Sequence, residues 1–233
     1  MAGRVASDAP IALVTGATGG IGAEIARQLA SDHTVVAVGR RAGKLSELSS
    51  VPGIEGVALD LLDLHGMEAF IRSLPRLDVL VHSAAISDRF SIDQADAAEW
   101  RRQLDINVVV PAELTRFALP LLREAHGQVV FINSGAGLRS YPTHTLYSAT
   151  KFALKAVADG LRGEERLNGV RVSTVHPGPT DTPMLAGDLR KADREYESEK
   201  YIRPESIAAA VRVVVDATDD AQITDIVVRP RLE

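Results

Sequence analysis

The chain has 233 residues, 45% hydrophobic and 24% charged, a composition that excludes disorder as the main state and suits one globular domain with a full core. It has no cysteine, which excludes disulfides, thiol nucleophiles, zinc ribbons and iron–sulfur clusters together. A net charge of −5, from 26 basic and 31 acidic residues interspersed along the chain, argues against a nucleic-acid partner.

The first nine residues lack the apolar core of a signal peptide and read as a flexible N-terminal segment ahead of a domain over residues 10–233. No apolar run reaches the roughly 18 residues of a spanning helix, so a soluble, cytoplasmic protein is expected, with no membrane partner. Six histidines stand singly, none with the paired spacing of a His-Glu-x-x-His site, so no protein-held metal is expected.

Directly after a strand over residues 11–15 comes Thr15-Gly16-Ala17-Thr18-Gly19-Gly20-Ile21-Gly22, running into a helix expected over residues 23–30. Glycines permit a tight turn and close approach of a pyrophosphate to the backbone. The helix start offers unpaired N–H groups and the positive end of its dipole. Strand, glycines and helix in that order favour a bound dinucleotide over a plain turn. The spacing Thr-Gly-x-x-x-Gly-x-Gly resembles the turn of the short-chain dehydrogenase/reductase family. The resemblance implies that Gly16, Gly20, Ile21 and Gly22 lie against the cofactor and that Thr18 offers its hydroxyl to the phosphates.

A second strand, residues 35–38, ends in Gly39-Arg40-Arg41. An acidic side chain here would meet a ribose 2′-hydroxyl and an arginine a 2′-phosphate. Two guanidinium groups and no carboxylate favour NADP(H) over NAD(H), with Arg40 the stronger reader and Arg41 the second. The alternative is a pair of solvated loop arginines. After a third strand, residues 56–59, Asp60-Leu61 is similar to the family's adenine-binding pair. A fourth strand, residues 79–82, leads into His82-Ser83-Ala84-Ala85, where the family usually has Asn-Asn-Ala-Gly. Ser83, Ala84 and Ala85 are small enough for an adenosine ribose to approach, and His82 reads as a buried structural residue.

Asn107, in Asp105-Ile106-Asn107-Val108, is a polar amide inside an apolar helical run, which by itself suggests a kink or a satisfied buried amide near Pro111. The strand at residues 129–132 ends in Asn133-Ser134-Gly135, which places Ser134 at a carboxyl edge where ligands bind. Ile132 occupies the first glycine position of a nucleophile elbow, so a hydrolase serine is excluded. In Tyr147-Ser148-Ala149-Thr150-Lys151 the phenol and the ammonium share one helix face, and the cation is expected to draw the Tyr147 pKa down toward the range useful for proton transfer. A second Tyr-x-x-x-Lys, Tyr196 to Lys200, lies in a densely charged stretch and reads as an exposed helix face.

After a strand over residues 171–175, Pro177-Gly178-Pro179-Thr180-Asp181-Thr182 resembles the family's Pro-Gly-x-x-x-Thr. A substrate lid is expected around residues 178–203. Helical spacing resumes at Pro204, and a last strand spans residues 226–228. Strand–helix alternation without a linker means crossover connections and hence an α/β fold, a doubly wound, mostly parallel sheet of about seven strands with helices on both faces.

Asn107, Ser134, Tyr147 and Lys151 match, in order, the catalytic tetrad of the short-chain dehydrogenase/reductase family. The resemblance implies a single-domain Rossmann fold and hydride transfer between nicotinamide and a carbonyl or secondary alcohol. In that scheme Ser134 binds the substrate oxygen and Tyr147 exchanges the proton. Lys151 tunes Tyr147 and holds the nicotinamide ribose, Asn107 orders a water that links Lys151 to solvent, and Thr182 with the backbone of Pro177, Gly178 and Thr180 binds the carboxamide. It also implies a homodimer or homotetramer. A silent NADP(H)-binding regulator of the same fold is the alternative. An epimerase of the extended group is disfavoured by the short segment after Val175. Leu138, Arg139, His144, Met184 and Leu185 are candidates for substrate contact, without a decisive pattern.

Overall fold

A computed structural model describes residues 9–231, and in it the short β-branched runs pair as seven parallel strands. These are β1 (Ile11–Thr15), β2 (Thr34–Gly39), β3 (Ile54–Ala58), β4 (Val79–His82), β5 (Gln128–Ile132), β6 (Arg171–Pro177) and β7 (Asp225–Val228). Their order in the sheet is β3-β2-β1-β4-β5-β6-β7. The chain builds outward from β1 on one side and from β4 on the other. The crevice at that reversal, beyond the carboxyl ends of β1 and β4, is where such sheets bind ligands. The expected flexibility of residues 1–9 falls, but for residue 9, outside the described residues.

Eight α-helices connect the described strands: α1 (Gly20–Leu29), α2 (Ala42–Leu48), α3 (Leu64–Ser73), α4 (Ala97–Leu104), α5 (Val110–Ala125), α6 (Thr145–Glu165), α7 (Pro183–Lys191) and α8 (Pro204–Val215). Side chains alternate between the two faces along each strand, and the cores follow. Val14, Val35, Ala37, Val81 and Val130 face Ile25 and Leu29 of α1, Leu45 of α2 and Val211 of α8. Leu13, Val36, Val38, Leu80 and Phe131 face Ile71 of α3, Leu114 and Phe117 of α5 and Leu154 of α6. Each fully buried Leu, Ile or Phe contributes about 1.5–3 kcal/mol by leaving water. The sheet is therefore fixed from both sides and presents its carboxyl edge as a rigid platform.

Between α4 and α5 the helix widens into a π-turn, Asp105–Val109, around Asn107. Pro111 follows four residues after Asn107 and has no N–H to give the Asn107 carbonyl, so the ordinary helical bond there cannot form. The Val110 N–H bonds the Asp105 carbonyl instead. The kink expected from sequence is this local expansion.

The segment around residues 178–203 holds more order than its charge suggests. Thr182 caps α7 by accepting the Leu185 N–H at 3.2 Å, and Thr180 and Ile202 form a parallel bridge. The expectation of an exposed helix face over Tyr196 to Lys200 is corrected. The chain there is extended up to a short 3₁₀ turn, Ser198–Lys200, because Asp193 adopts a left-handed backbone (φ 50°) and the Tyr196 hydroxyl is drawn onto the Asp181 carboxylate. No helix among the described residues is long and apolar enough to cross a membrane.

Candidate active site

The glycine turn joins β1 to α1 as the sequence indicates, with helix starting at Gly20 rather than at residue 23. Gly16 has a left-handed backbone (φ 70°), and a Cβ there would lie 2.7 Å from the Ala84 backbone. A Cβ on Gly22 would sit 2.5 Å from the Gly16 carbonyl. No side chain caps the start of α1, so its first N–H groups remain available to an anion. The Thr15 hydroxyl accepts from Ser83 N and Ala84 N at 3.2 and 3.3 Å, joining the turn to the loop after β4.

These elements line a cleft of about 300 Å³ that includes Gly20, Ile21, Arg40, Asp60, Leu61 and Ala85 and reaches Tyr147, Lys151 and Thr182. Arg41 also lines it and donates to the Thr18 carbonyl at 2.6 Å and hydroxyl at 3.2 Å, so its guanidinium lies across the turn. Arg40 makes no hydrogen bond or ion pair with a described residue. The Asp60 carboxylate accepts from Leu62 N at 3.1 Å. The cleft fits a dinucleotide on three grounds: glycines where a Cβ would collide, an uncapped helix start and two arginines at the end of β2. His82 sits outside it, stacked on Phe131 and hydrogen-bonded to the Thr115 hydroxyl at 2.8 Å.

A second cavity, about 630 Å³, shares Ile21, Asn133, Tyr147, Thr182 and Met184 with the cleft. Ser134, Pro177, Gly178 and Thr180 line this cavity rather than the nucleotide side. Of the substrate candidates, His144, Met184 and Leu185 face it, whereas Leu138 is exposed on the surface and Arg139 lies over the Tyr141 ring. Sequence reasoning missed Ser87, Arg89, Asp188 and Tyr201, all on its wall. They come from two loops and a helix with no common motif, so no local signal marks them.

Ser134 closes β5 and accepts the Ala136 N–H at 3.1 Å. It lines the second cavity together with the Tyr147 phenol, and its hydroxyl favours the ionised phenol. Lys151, one helical turn below Tyr147, is 1% exposed and donates to the Ile132 carbonyl at 3.0 Å, with its nitrogen 5.7 Å from the Tyr147 ring centre. Asn107 stands one layer behind. It accepts from Ile86 N and donates to Ile86 O, each at 2.9 Å, and donates to Thr150 Oγ1 at 3.1 Å. It thereby clamps the loop after β4 to the helix carrying Tyr147 and Lys151.

The expected fall of the Tyr147 pKa is corrected. Burial pushes the phenol up to about 12; the Ser134 hydroxyl opposes this in part and the negative charge of Asp188 adds to it. Burial brings Lys151 down to about 8. Desolvation is the largest influence on both groups and outweighs the neighbouring charge. The second Tyr-x-x-x-Lys offers no such pair: Tyr196 donates to Asp181 and stacks on Tyr201, and Lys200 pairs with Glu197 at the surface.

A family described as short chain dehydrogenase matches residues 10–193. Dehydrogenase/reductase SDR family member 11 of Homo sapiens is 32% identical over 244 residues, covering 94% of this chain and 94% of that protein. Among solved structures, a serine dehydrogenase in its closed form with NADP⁺ is 29% identical with a TM-score of 0.87, covering 94% of each chain. A short-chain dehydrogenase/reductase assigned on similarity from Corynebacterium glutamicum is 40% identical with a TM-score of 0.74, covering 95% of this chain and 100% of the other.

Proposed function

Because the chain belongs to the short-chain dehydrogenase family of oxidoreductases, we propose that it transfers hydride reversibly between NADP(H) and a carbonyl or secondary-alcohol substrate. The observation that carries this reading is the place of Tyr147 at the junction of the nucleotide-sized cleft and the second cavity, with Lys151 on the wall of the first and Ser134 on the wall of the second. When bound, the nicotinamide supplies or takes the hydride.

The start of α1 and the turn from Gly16 to Gly22 hold the pyrophosphate, with Thr18 adding its hydroxyl. Asp60 and Leu61 meet the adenine, and Ser83 to Ala85 the adenosine ribose. Arg40 and Arg41 accept the 2′-phosphate, a preference supported by the NADP⁺-bound serine dehydrogenase among the similar structures. Lys151 holds the nicotinamide ribose, and Thr182 with the backbone after Pro177 orients the carboxamide. Ser134 and Tyr147 bind the substrate oxygen. In reduction Tyr147 gives its phenolic proton to that oxygen, and a phenol held to about 12 remains protonated and ready to donate at neutral pH. A developing alkoxide is a stronger base than phenolate, so the transfer runs downhill. Lys151 contributes positive charge as the phenolate forms, and Asn107 positions the helix that carries both and orders the water that refills the proton. The segment around residues 178–203 covers the substrate. On the same reading the working unit is a cytoplasmic homodimer or homotetramer.

The test is a screen of NADPH and NADH oxidation, followed by absorbance, against ketones, aldehydes and quinones. Turnover with NADPH preferred is the expected result. Binding of NADPH without oxidation across the panel would establish the silent regulator instead.

A further inference from the structure

Among the described residues Asp188 is the one carboxylate on the wall of the cavity next to Tyr147, and it is 7% exposed. It projects from α7. Its Oδ2 accepts the Ser87 hydroxyl at 3.0 Å, and its Oδ1 has no hydrogen-bond partner among the described residues. The nearby cations are engaged elsewhere: Lys191 pairs with Asp88, and Arg89 donates to Thr143 at 3.3 Å. Neither forms an ion pair with Asp188, although both charges are felt by it. Its Oδ1 is not sealed from solvent but opens on the cavity, so this acceptor is free to take a donor from a ligand there, and a partly desolvated carboxylate gains from such a bond. Burial raises its pKa, as it does for a carboxylate lacking a close cation. Asp188 and Tyr147 line the same cavity, and the charge of Asp188 acts on the phenol, so a substrate held at Tyr147 lies in the space the carboxylate faces.

Resting on the oxidoreductase reading above, we propose that Asp188, buttressed by Ser87, determines specificity by accepting a hydrogen bond from an ammonium or hydroxyl group on the substrate carbon next to the reacting one. The substrates are thus vicinal amino alcohols or diols, and the corresponding amino or hydroxy carbonyl compounds, rather than simple ketones. Oxidation converts the secondary alcohol to the ketone while NADP⁺ gains the hydride and a proton is released; the neighbouring donor group is unchanged.

The experiment measures kcat/KM with NADP⁺ on butan-2-ol, butane-2,3-diol and 3-aminobutan-2-ol, which share a carbon chain. Wild type should favour the diol or the amino alcohol over butan-2-ol by about tenfold to a hundredfold, the range for a hydrogen bond to a charged group. Asp188→Asn retains an oxygen for the Ser87 hydroxyl but removes the charge, and should collapse the amino-alcohol preference relative to butan-2-ol. A loss confined to the amino alcohol identifies the ammonium as the natural donor; a parallel loss on the diol identifies the hydroxyl. If Asp188 serves only to hold α7 to the loop after β4, the variant lowers all three values together, and the proposal is overturned. Equal values for the three alcohols in wild type overturn it as well. No turnover of any alcohol or ketone by wild type would instead sink the oxidoreductase reading.

Discussion

At the residue scale, Tyr147 and Lys151 are governed by loss of water more than by each other. Tyr147→Phe retains the ring and removes the proton donor. Carbonyl reduction should fall by about 10²–10⁴, the usual worth of a positioned acid, while NADPH still binds, as fluorescence titration would report; unchanged turnover would exclude the assignment. Of the pair, the lysine loses its proton first, near about 8, the phenol only near about 12. Reduction, which needs the protonated phenol and the lysine charge, should therefore decline as pH rises through about 8, and oxidation, which needs the phenolate as base, should climb only as pH approaches about 12. Profiles of kcat/KM in both directions check this, and a flat reduction profile to pH 10 would show that the lysine charge is dispensable. His82 gives a stability counterpart. Burial lowers its pKa to about 3, below the unfolded value near ~6.5, so the unfolded chain binds the extra proton. Its contribution is complete above about pH 6.5 and is lost as pH falls toward 3, at up to about 1.4 kcal/mol per pH unit. Urea unfolding at pH 7.5 and 4.5 should show His82→Asn losing less stability on acidification than wild type.

At the element scale, the π-turn between α4 and α5 is the feature with the most reach. Pro111 prevents the regular helical bond, the helix widens at Asn107, and the amide gains room to bond the Ile86 backbone and Thr150 together. Such turns recur at functional sites. Asn107→Ala leaves the part-buried Ile86 amide and carbonyl without these partners and should destabilise the fold by about 1–3 kcal/mol, measured by chemical denaturation. The loss of turnover should exceed that explained by unfolded protein, because the loop after β4 and the helix bearing Tyr147 would no longer be held in register. A variant as stable as wild type with lowered turnover would assign Asn107 to the reaction alone.

At the scale of the whole molecule, the sheet order places the glycine turn, the loop after β4 and Ser134 along one carboxyl edge, so that a dinucleotide would bridge elements contributed by both halves of the chain. A ligand bound only by the folded state stabilises it by about 2.7 kcal/mol at a hundred times its Kd. For a chain of this size that is a rise in Tm of about 5–10 °C. NADP⁺ should give that shift and NAD⁺ at the same concentration a smaller one, with the difference shrinking in Arg40→Ala. Equal shifts from both cofactors would show that the arginines after β2 do not read the 2′-phosphate.

The sequence alone determined the strands, the glycine turn and the order of Asn107, Ser134, Tyr147 and Lys151, because each is a local pattern: β-branched runs, glycine beside a helix start, residues four apart on one helix face. It placed β1 and β4 to the residue and the other strands to within about two positions, since strand ends fray with the surrounding loops. Only the tertiary structure decided the balance of burial against charge at Tyr147, because desolvation depends on every element packed around a group. It alone decided that Arg41 lies across the turn, that Tyr196 bonds Asp181 instead of standing on a helix face, and that Asp188 and Ser87 meet beside the phenol. Ser87 and Asp188 are 101 positions apart, and no local periodicity carries information over that distance; folding of α7 against the loop after β4 makes them neighbours.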